Sequence, residues 1–136
     1  MNNNMNILCK IIAFAGFIIL TDSHLASAQN KGIKRTDLQQ HDLNIPGKMV
    51  IQAQVEIAPH IVSVRHRHPG AEIIYVLAGV LEYNVEGNPP RTLKAGEVLF
   101  IPSGKIHSVT NHGNVKAVEL ATYFIDKGKP FAEIVK

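Results

Sequence analysis

The sequence predicts an all-β domain in which antiparallel strands form a sandwich or a closed barrel. About eight short apolar or alternating runs follow residue 47, and turn residues separate them at intervals of roughly 8 to 12 positions, which is typical of such folds. No stretch after the N-terminal segment repeats apolar residues with the 3.6-residue period of a helix. A chain of 136 residues is sufficient for one domain with a modest core.

Residues 1–28 have the features of a signal peptide. Lys10 is the only charged residue before the apolar run 11–20, and Ala26, Ser27 and Ala28 form a small-x-small cleavage pattern. We expect a mature chain that begins at Gln29 and is exported from a bacterial cytoplasm to the periplasm or the medium. A membrane-tethering or buried helix is the alternative, although the apolar run is too short to span a bilayer.

Cysteine and charge exclude several classes of function. Cys9 is the single cysteine and lies in the predicted signal peptide, so the mature chain would have no disulfide and no thiolate ligand or nucleophile. The net charge is +3, and the charges are scattered without a basic run or an aromatic ladder. Nucleic acid is therefore not an expected partner, and neither is a membrane once the signal is removed.

The rest of the chain divides into three segments. Residues 29–47 are polar and predict either an arm that crosses to a neighbouring subunit or a disordered linker. Pro46 and Gly47 then open a β domain over residues 48–126, and residues 127–136 form a tail that wraps back over an edge. The predicted strands of the domain cover residues 48–57, 61–68, 72–77, 80–85, 91–94, 97–101, 106–110 and 115–125.

A first cluster of potential metal ligands lies near the middle of the chain. His66 and His68 are two positions apart, so both imidazoles leave the same face of a strand. The turn at Pro69 and Gly70 predicts a hairpin that returns Glu72 beside them. Two imidazoles and a carboxylate suit divalent iron, manganese, nickel, copper or zinc. The alternative is a pair of histidines at a solvated surface.

A second cluster supplies one more imidazole. Pro102 and Gly104 indicate a break between two strands, and His107 begins the strand that follows. In a closed double-sheet fold this strand can lie beside the first cluster. The two clusters together predict a site of three histidines and one glutamate.

Both stretches resemble the cupin family. The first fits the pattern His-x-His-x3-Glu-x6-Gly at His66, His68, Glu72 and Gly79. The second fits Gly-x5-Pro-x-Gly-x2-His-x3-Asn at Gly96, Pro102, Gly104, His107 and Asn111. The resemblance covers roughly residues 49–123 and is to small single-domain type 2, quercetinase-like cupins. It implies a jelly-roll barrel, a double-stranded β-helix, with a metal held by His66, His68, Glu72 and His107.

The remaining polar residues offer only weak catalytic candidates. The family often has glycine six residues before the first histidine, where this chain has His60, which predicts a turn or else a polar group at the barrel mouth. Glu56 is expected on a solvated outer face, together with Gln52, Gln54 and Glu119. If one of them points inward, it becomes a candidate acid or base. The weak catalytic candidates are Glu72, Glu56 and His60.

Strand parity also predicts which apolar residues line the barrel and which face away. Tyr75 has the opposite parity to Glu72 and is expected in the core between the sheets or in a dimer contact. His112 resembles a loop residue, and His41 lies in the polar segment without a nameable partner. The predicted lining consists of Val62, Val64, Ile74, Val76, Val98 and Phe100.

These features predict an exported, metal-dependent enzyme acting on a small organic molecule, with dioxygenase-like chemistry favoured. One alternative is a metal-dependent module that binds a small ligand without turning it over. Another is lyase or isomerase chemistry on the same metal. We expect a homodimer, from the polar segment and from the family's habit of pairing through β-strands.

Overall fold

The computed structural model describes residues 31–136, so the predicted signal peptide with Cys9 lies outside the described residues. The described residues form ten strands and contain no helix that could cross a membrane. The strands are β1 Ile33–Asp42, β2 Lys48–Ile57, β3 His66–Arg67, β4 Gly70–Ala78, β5 Val80–Val85, β6 Arg91–Lys94, β7 Val98–Ile101, β8 His107–Thr110, β9 Ala117–Asp126 and β10 Glu133–Ile134.

The strands form two antiparallel five-stranded sheets. Their orders are β1-β2-β9-β4-β7 and β10-β3-β8-β5-β6. From β2 to β5, and again from β6 to β10, successive strands alternate between the two sheets. This is the jelly-roll arrangement, so the predicted all-β fold class is confirmed.

The core lies between the two sheets because the inner face of each long strand is apolar. Every second residue of β2 and β9 is buried while its neighbours remain partly exposed. The two strands pair along their whole length, from Lys48 opposite Asp126 to Ile57 opposite Ala117. Burying one large aliphatic side chain stabilises the fold by about 1.5–3 kcal/mol. The large aliphatic residues of the core are Ile51, Val55, Ile57, Ile74, Val76, Leu81, Leu93, Leu99, Ile101, Val109 and Ile125.

The polar N-terminal segment forms the edge strand of the first sheet. β1 pairs with β2 from Ile33 opposite Ile57 to Asp42 opposite Met49, with an irregularity between Asp37 and Gln39. Residues 33–42 are thus ordered against their own chain.

The C-terminal tail lies beside the strand that carries the first histidine. In β10, Glu133 pairs with Arg67 and Ile134 with His66. Arg67 also lies 2.6 Å from the Glu133 carboxylate. The expected return of the tail over a sheet edge is confirmed.

The predicted hairpin between residues 61–68 and β4 is wrong. Only His66 and Arg67 form a strand there, and β3 and β4 belong to different sheets. The turn at Pro69 instead carries the chain across the barrel. Gly70 is required at this crossing, because a Cβ on it would lie 1.7 Å from the carbonyl oxygen of Phe124. A Pro-Gly turn signal does not distinguish a hairpin from a sheet crossing.

The predicted barrel lining is correct for only two of its six residues. Ile74 and Val76 are fully buried, whereas Val62, Val64, Val98 and Phe100 are 36–60% exposed. In β7 the inward residues are Leu99 and Ile101, because the register places Leu99 opposite Ile74. The predicted parity of β7 was wrong by one position, which exchanges the inward and outward faces of a strand. Tyr75 points away from Glu72 as predicted, but it is 43% exposed and not in the core.

Candidate metal centre

The three histidines of the two motifs meet inside the barrel. His66 in β3 lies directly opposite His107, the first residue of β8. His68 follows β3 by one residue. A ligand nitrogen from each of the three rings lies within 4.8 Å of the other two. The predicted convergence of the two motifs is therefore present.

A backbone carbonyl oxygen fixes the orientation of each imidazole. Since a carbonyl oxygen only accepts hydrogen bonds, Nδ1 carries the proton in each neutral ring and Nε2 keeps its lone pair. Histidines that bind metals are oriented in this way. The three bonds run from His66 to Val64 (2.8 Å), from His68 to Phe131 (2.8 Å) and from His107 to Lys105 (2.9 Å).

Glu72 adds a carboxylate from the opposite sheet. Its Oε2 atom lies 3.1 Å from Nε2 of His107 and 3.8 Å from Nε2 of His68. Oε2 of Glu72 and Nε2 of His68 are both buried without a hydrogen-bond partner. With the protons on Nδ1, these atoms present lone pairs to one another, which is unfavourable unless a cation or a proton lies between them. The donor set thus fits a divalent metal ion.

The protonation states also favour cation binding. Burial lowers the pKa of His66 to about 4 and also lowers the pKa of His68, so both rings are neutral near pH 7. Burial alone would raise the pKa of Glu72, but the three imidazoles outweigh it and hold this pKa below its usual value. For His107, the adjacent Glu72 carboxylate outweighs burial and raises the pKa. Without a metal, these opposite shifts favour a proton on His107 beside an ionised Glu72, and a bound cation would take the place of that proton.

The four side chains of the cluster differ in their exposure to solvent. Glu72, His68 and His107 are at most 5% exposed, whereas His66 is only partly buried. Solvent or a small ligand therefore approaches the cluster most easily beside His66.

The closed side of the cluster consists of aromatic residues that the sequence did not indicate. The His68 ring lies 4.8 Å from the rings of Tyr123 and Phe131, measured between centroids. The guanidinium carbon of Arg35 lies 3.8 Å from the Phe131 centroid. The inward parity of Tyr123 could have been found from β9, but no local signal marked Phe131 or Arg35.

Glu119 is buried, so its predicted place on an outer solvated face is wrong. It is 3% exposed and accepts a hydrogen bond from the Tyr83 hydroxyl. Burial raises the pKa of Glu119 to about 8. It shares strand parity with Ala121 and Tyr123, and this was the signal that could have placed it inside. A protonated carboxyl group avoids the large penalty of a buried charge.

The other three residues of that set lie on the outer face, as predicted. Glu56 forms an ion pair of 2.6 Å with Lys116, and the Lys116 hydrogen bond lowers the Glu56 pKa. Gln52 donates to Thr122, and Gln54 lies beside Glu56. Glu56 is therefore not among the residues that the structure brings to the metal cluster.

His60 occupies a turn. Its φ angle is 58°, and its Nε2 lies 3.0 Å from the side-chain oxygen of Asn114. The turn interpretation is confirmed, and His60 is not part of the cluster. His112 is exposed and lies 3.3 Å from Glu82, and His41 is exposed on β1.

Two further motif residues have structural roles. Asn111 is 1% exposed and donates to the carbonyl oxygens of Ile57 and Val115 at 3.0 and 2.9 Å. A Cβ on Gly79, which has a φ of 77°, would lie 2.9 Å from the Cα of Ala117. These residues close the loops that hold the strands in position.

Sequence comparisons agree with this architecture. A family model described as a cupin domain matches residues 53–124. The dimethylsulfoniopropionate lyase DddQ of Ruegeria pomeroyi is 45% identical over 47 residues, which are 35% of this chain and 23% of that protein. Germin-like protein 1-1 of Oryza sativa is 38% identical over 79 residues, or 54% of this chain and 37% of that protein. This chain thus spans well under half the length of these relatives.

Solved structures show the same fold. An oxalate oxidase in complex with the substrate analogue glycolate has a TM-score of 0.62 and 29% identity, over 93% of this chain and 69% of that one. The DddQ lyase of Ruegeria pomeroyi has a TM-score of 0.59 and 28% identity, over 63% of this chain and 43% of that one. Because the family model covers more than half of the sequence, this chain belongs to the cupin family.

Proposed function

We propose that this cupin is a metal-dependent enzyme that acts on a small organic anion, with oxygen-dependent, dioxygenase-like chemistry. Its ligands would be His66, His68, Glu72 and His107, and the metal iron, manganese, nickel, copper or zinc. The observation that carries the proposal is that three imidazoles lie close together and two of them approach a buried carboxylate oxygen, with Glu72 Oε2 and His68 Nε2 both buried without a hydrogen-bond partner among the described residues.

A bound metal would supply Lewis acidity and, if redox-active, electrons for a reaction with oxygen. Three neutral imidazoles and one carboxylate leave a divalent site with net positive charge, so the site favours an anion. His66, on the more exposed side, borders the path by which such an anion would arrive. The buried side chains of Ile74 and Ile101 exclude water from the barrel. The likeness to an oxalate oxidase that binds glycolate supports a small carboxylate as substrate.

A lyase is the second candidate, and the similarity to DddQ favours it. That protein is a dimethylsulfoniopropionate lyase, and the matched region is 45% identical over 47 residues. Lyase chemistry would use the same ligands, with the metal as Lewis acid only. It would need no oxygen.

The test is to load the purified protein with each metal in turn and to measure metal content, oxygen uptake and substrate loss. Oxalate and a catechol probe the oxidative reaction, and dimethylsulfoniopropionate probes the lyase. Stoichiometric metal with oxygen uptake on addition of a carboxylate or catechol supports the proposal. Substrate loss without oxygen uptake favours the lyase. Binding without turnover by every metal-loaded form indicates a ligand-binding module and contradicts enzymatic function.

His68→Ala tests the ligand assignment, with His112→Ala as its matched control. His68 is buried in the cluster, whereas His112 is exposed and paired with Glu82. We expect His68→Ala to lose stoichiometric metal and all activity, and His112→Ala to keep both. Full metal content in His68→Ala would refute the assignment.

Export is a separate part of the proposal. It is supported by the single Lys10, the apolar run 11–20 and the small residues that end at Ala28. Expression of the full chain in a bacterium, followed by fractionation and N-terminal sequencing, should yield a mature protein that begins at Gln29. An intact N-terminus in the cytoplasmic fraction would contradict export.

A further inference from the structure

The C-terminal tail, residues 127–136, contacts both histidines of the first cluster. The carbonyl oxygen of Phe131 accepts a hydrogen bond of 2.8 Å from Nδ1 of His68. Three residues further along the chain, Ile134 lies opposite His66 in the ladder between β10 and β3. The tail therefore orients the ring of one proposed ligand and holds the backbone of the other.

The strand that carries His66 has little other support. β3 consists of two residues, and its ladder with β8 is limited to His66 opposite His107. On its other side, both residues of β3 pair with β10. The tail thus supplies two of the three residue pairs that hold β3 in its sheet, so the position of His66 depends on whether the tail is docked.

The tail also closes one side of the barrel. Among residues 31–136, β1 and β10 end different sheets and share no ladder. Arg35 of β1 and Phe131 of the tail meet across this side, with 3.8 Å between the guanidinium carbon and the ring centroid. The Phe131 ring also packs against the rings of His68 and Tyr123. His68 is 5% exposed with the tail docked, and departure of Phe131 would open it to a hydrated ion.

The contacts that hold the tail lie mostly at the surface. Both residues of β10, Glu133 and Ile134, are exposed, and the ion pair of Glu133 with Arg67 joins side chains that are about half exposed. Exposed ion pairs contribute little to stability. Phe131 packs against the core but remains partly exposed. Segments with few buried apolar contacts open more readily than core strands, so we expect the tail to detach without unfolding of the barrel.

We propose that docking of the C-terminal tail and metal binding are coupled, so that the tail closes over the centre when an ion is bound and detaches when the ion exchanges. His66 and His68, once they hold an ion, stay where β10 and the Phe131 carbonyl oxygen meet them, which favours the docked tail. By linkage, the docked tail raises metal affinity by the same factor. Outer contacts of metal ligands typically change affinity by about 10- to 100-fold, and we expect a factor in this range.

This coupling rests on the ligand assignment of the proposed function and is independent of the reaction. Hydrogen exchange of the purified protein, metal-free and zinc-loaded, tests it. The Val135 amide donates to the carbonyl oxygen of Arg65 at 2.9 Å, so it reports docking of the tail. We expect zinc to slow its exchange by about 10- to 100-fold. The Leu43 amide, which donates to Lys48 in the turn between β1 and β2, is the control and should be unaffected.

A chain that ends at Pro130 tests the reciprocal effect, and deletion of Lys136 alone is its matched control. The truncation removes Phe131 and β10, whereas Lys136 is exposed at the end of the tail. Competition with a zinc indicator should show a dissociation constant raised by the factor found in hydrogen exchange, and an unchanged constant in the control. A synthetic peptide of residues 129–136 should restore part of the lost affinity, while a scrambled peptide should not.

Far-UV circular dichroism should be the same for the truncated chain and its control. If the truncated chain does not fold, Val135→Pro removes only the hydrogen bond to Arg65 and should still raise the dissociation constant. Equal zinc affinity with and without the tail overturns the coupling but leaves the ligand assignment intact. Equal exchange of the Val135 amide with and without zinc has the same meaning. A wild type that binds no zinc overturns the ligand assignment together with the coupling.

Discussion

Glu72 and Glu119 are carboxylates on the inner faces of neighbouring strands, and their environments impose opposite protonation states. Their exposed fractions are 4% and 3%, so burial disfavours the charge of both. Glu72 faces three imidazoles, and its pKa is lowered. Glu119 faces a tyrosine hydroxyl, and its pKa is raised to about 8. Equal burial thus gives different charges because the neighbouring groups differ.

The comparison shows where this barrel can hold a cation. An ionised carboxylate in an apolar interior is stable only with a compensating positive charge or several hydrogen bonds. Glu119 avoids the requirement by keeping its proton. Glu72 retains its charge beside three imidazoles, and a metal ion in place of the proton on His107 would satisfy all four groups at once.

The largest expected effect is the coupling of metal binding to stability at Glu72. A metal at about 1,000 times its dissociation constant should raise the free energy of unfolding by roughly 4 kcal/mol. Glu72→Gln should lose most of this gain because a ligand charge is removed, while Glu119→Gln should retain it. Urea unfolding with metal and with EDTA measures the difference. If metal raises the free energy of unfolding equally in both variants, Glu72 contributes no more to metal binding than Glu119 does.

Glu119→Gln should remove a pH dependence of stability. The carboxyl group keeps its proton in the folded state up to about pH 8 but loses it near pH 4.5 when unfolded. The folded state therefore binds more protons between these values, and the wild type loses on the order of 3 kcal/mol of stability as pH rises from 4.5 to about 7. Glutamine does not titrate, so the variant should lack this slope. Parallel slopes in metal-free urea titrations would contradict the raised pKa.

In the metal-free protein, His66 should give a pH dependence of stability opposite in sign to that of Glu119. Burial lowers the His66 pKa to about 4 from 6.5, so the unfolded state binds more protons in this range. Stability should fall as pH decreases from 6.5 to about 4, by on the order of 2 kcal/mol once partial exposure of the ring is allowed for. His66→Gln should flatten this slope in urea titrations of the EDTA-treated protein. An unchanged slope would show that His66 is not held neutral by the fold.

The contrast between the two carboxylates also marks how far the sequence could predict the site. The spacings of His66, His68, Glu72 and His107 predicted their convergence, because a motif records the residue types a metal requires. Local turn signals did not show that Pro69 leads across the barrel, since sheet membership depends on distant partners such as Phe124. Glu119 was misplaced because the charge of a glutamate predicts exposure, and its partner Tyr83 lies 36 residues away.

Replacing Arg35 should reduce stability and metal affinity by a smaller amount, because Arg35 acts on the metal cluster through the C-terminal tail. Its guanidinium stacks on Phe131, whose carbonyl oxygen accepts the hydrogen bond from His68. Arg35→Met keeps an apolar side chain but removes the cation–π contact, so we expect a loss of about 1 kcal/mol in stability and a several-fold weaker metal affinity. Arg91→Met, an exposed change on β6, is the control. Competition with a metal indicator measures the affinity, and equal values for both variants would exclude this role.

His60→Gly should change the stability of the fold least. Glycine adopts the φ of 58° without strain but has more freedom in the unfolded chain, and the contact with Asn114 is lost. These contributions oppose each other, so the free energy of unfolding should change by less than about 1 kcal/mol. Metal content and pH dependence should be unchanged, because His60 contacts neither Glu72 nor Glu119. Loss of activity with full metal content would instead make His60 an accessory group at the barrel mouth.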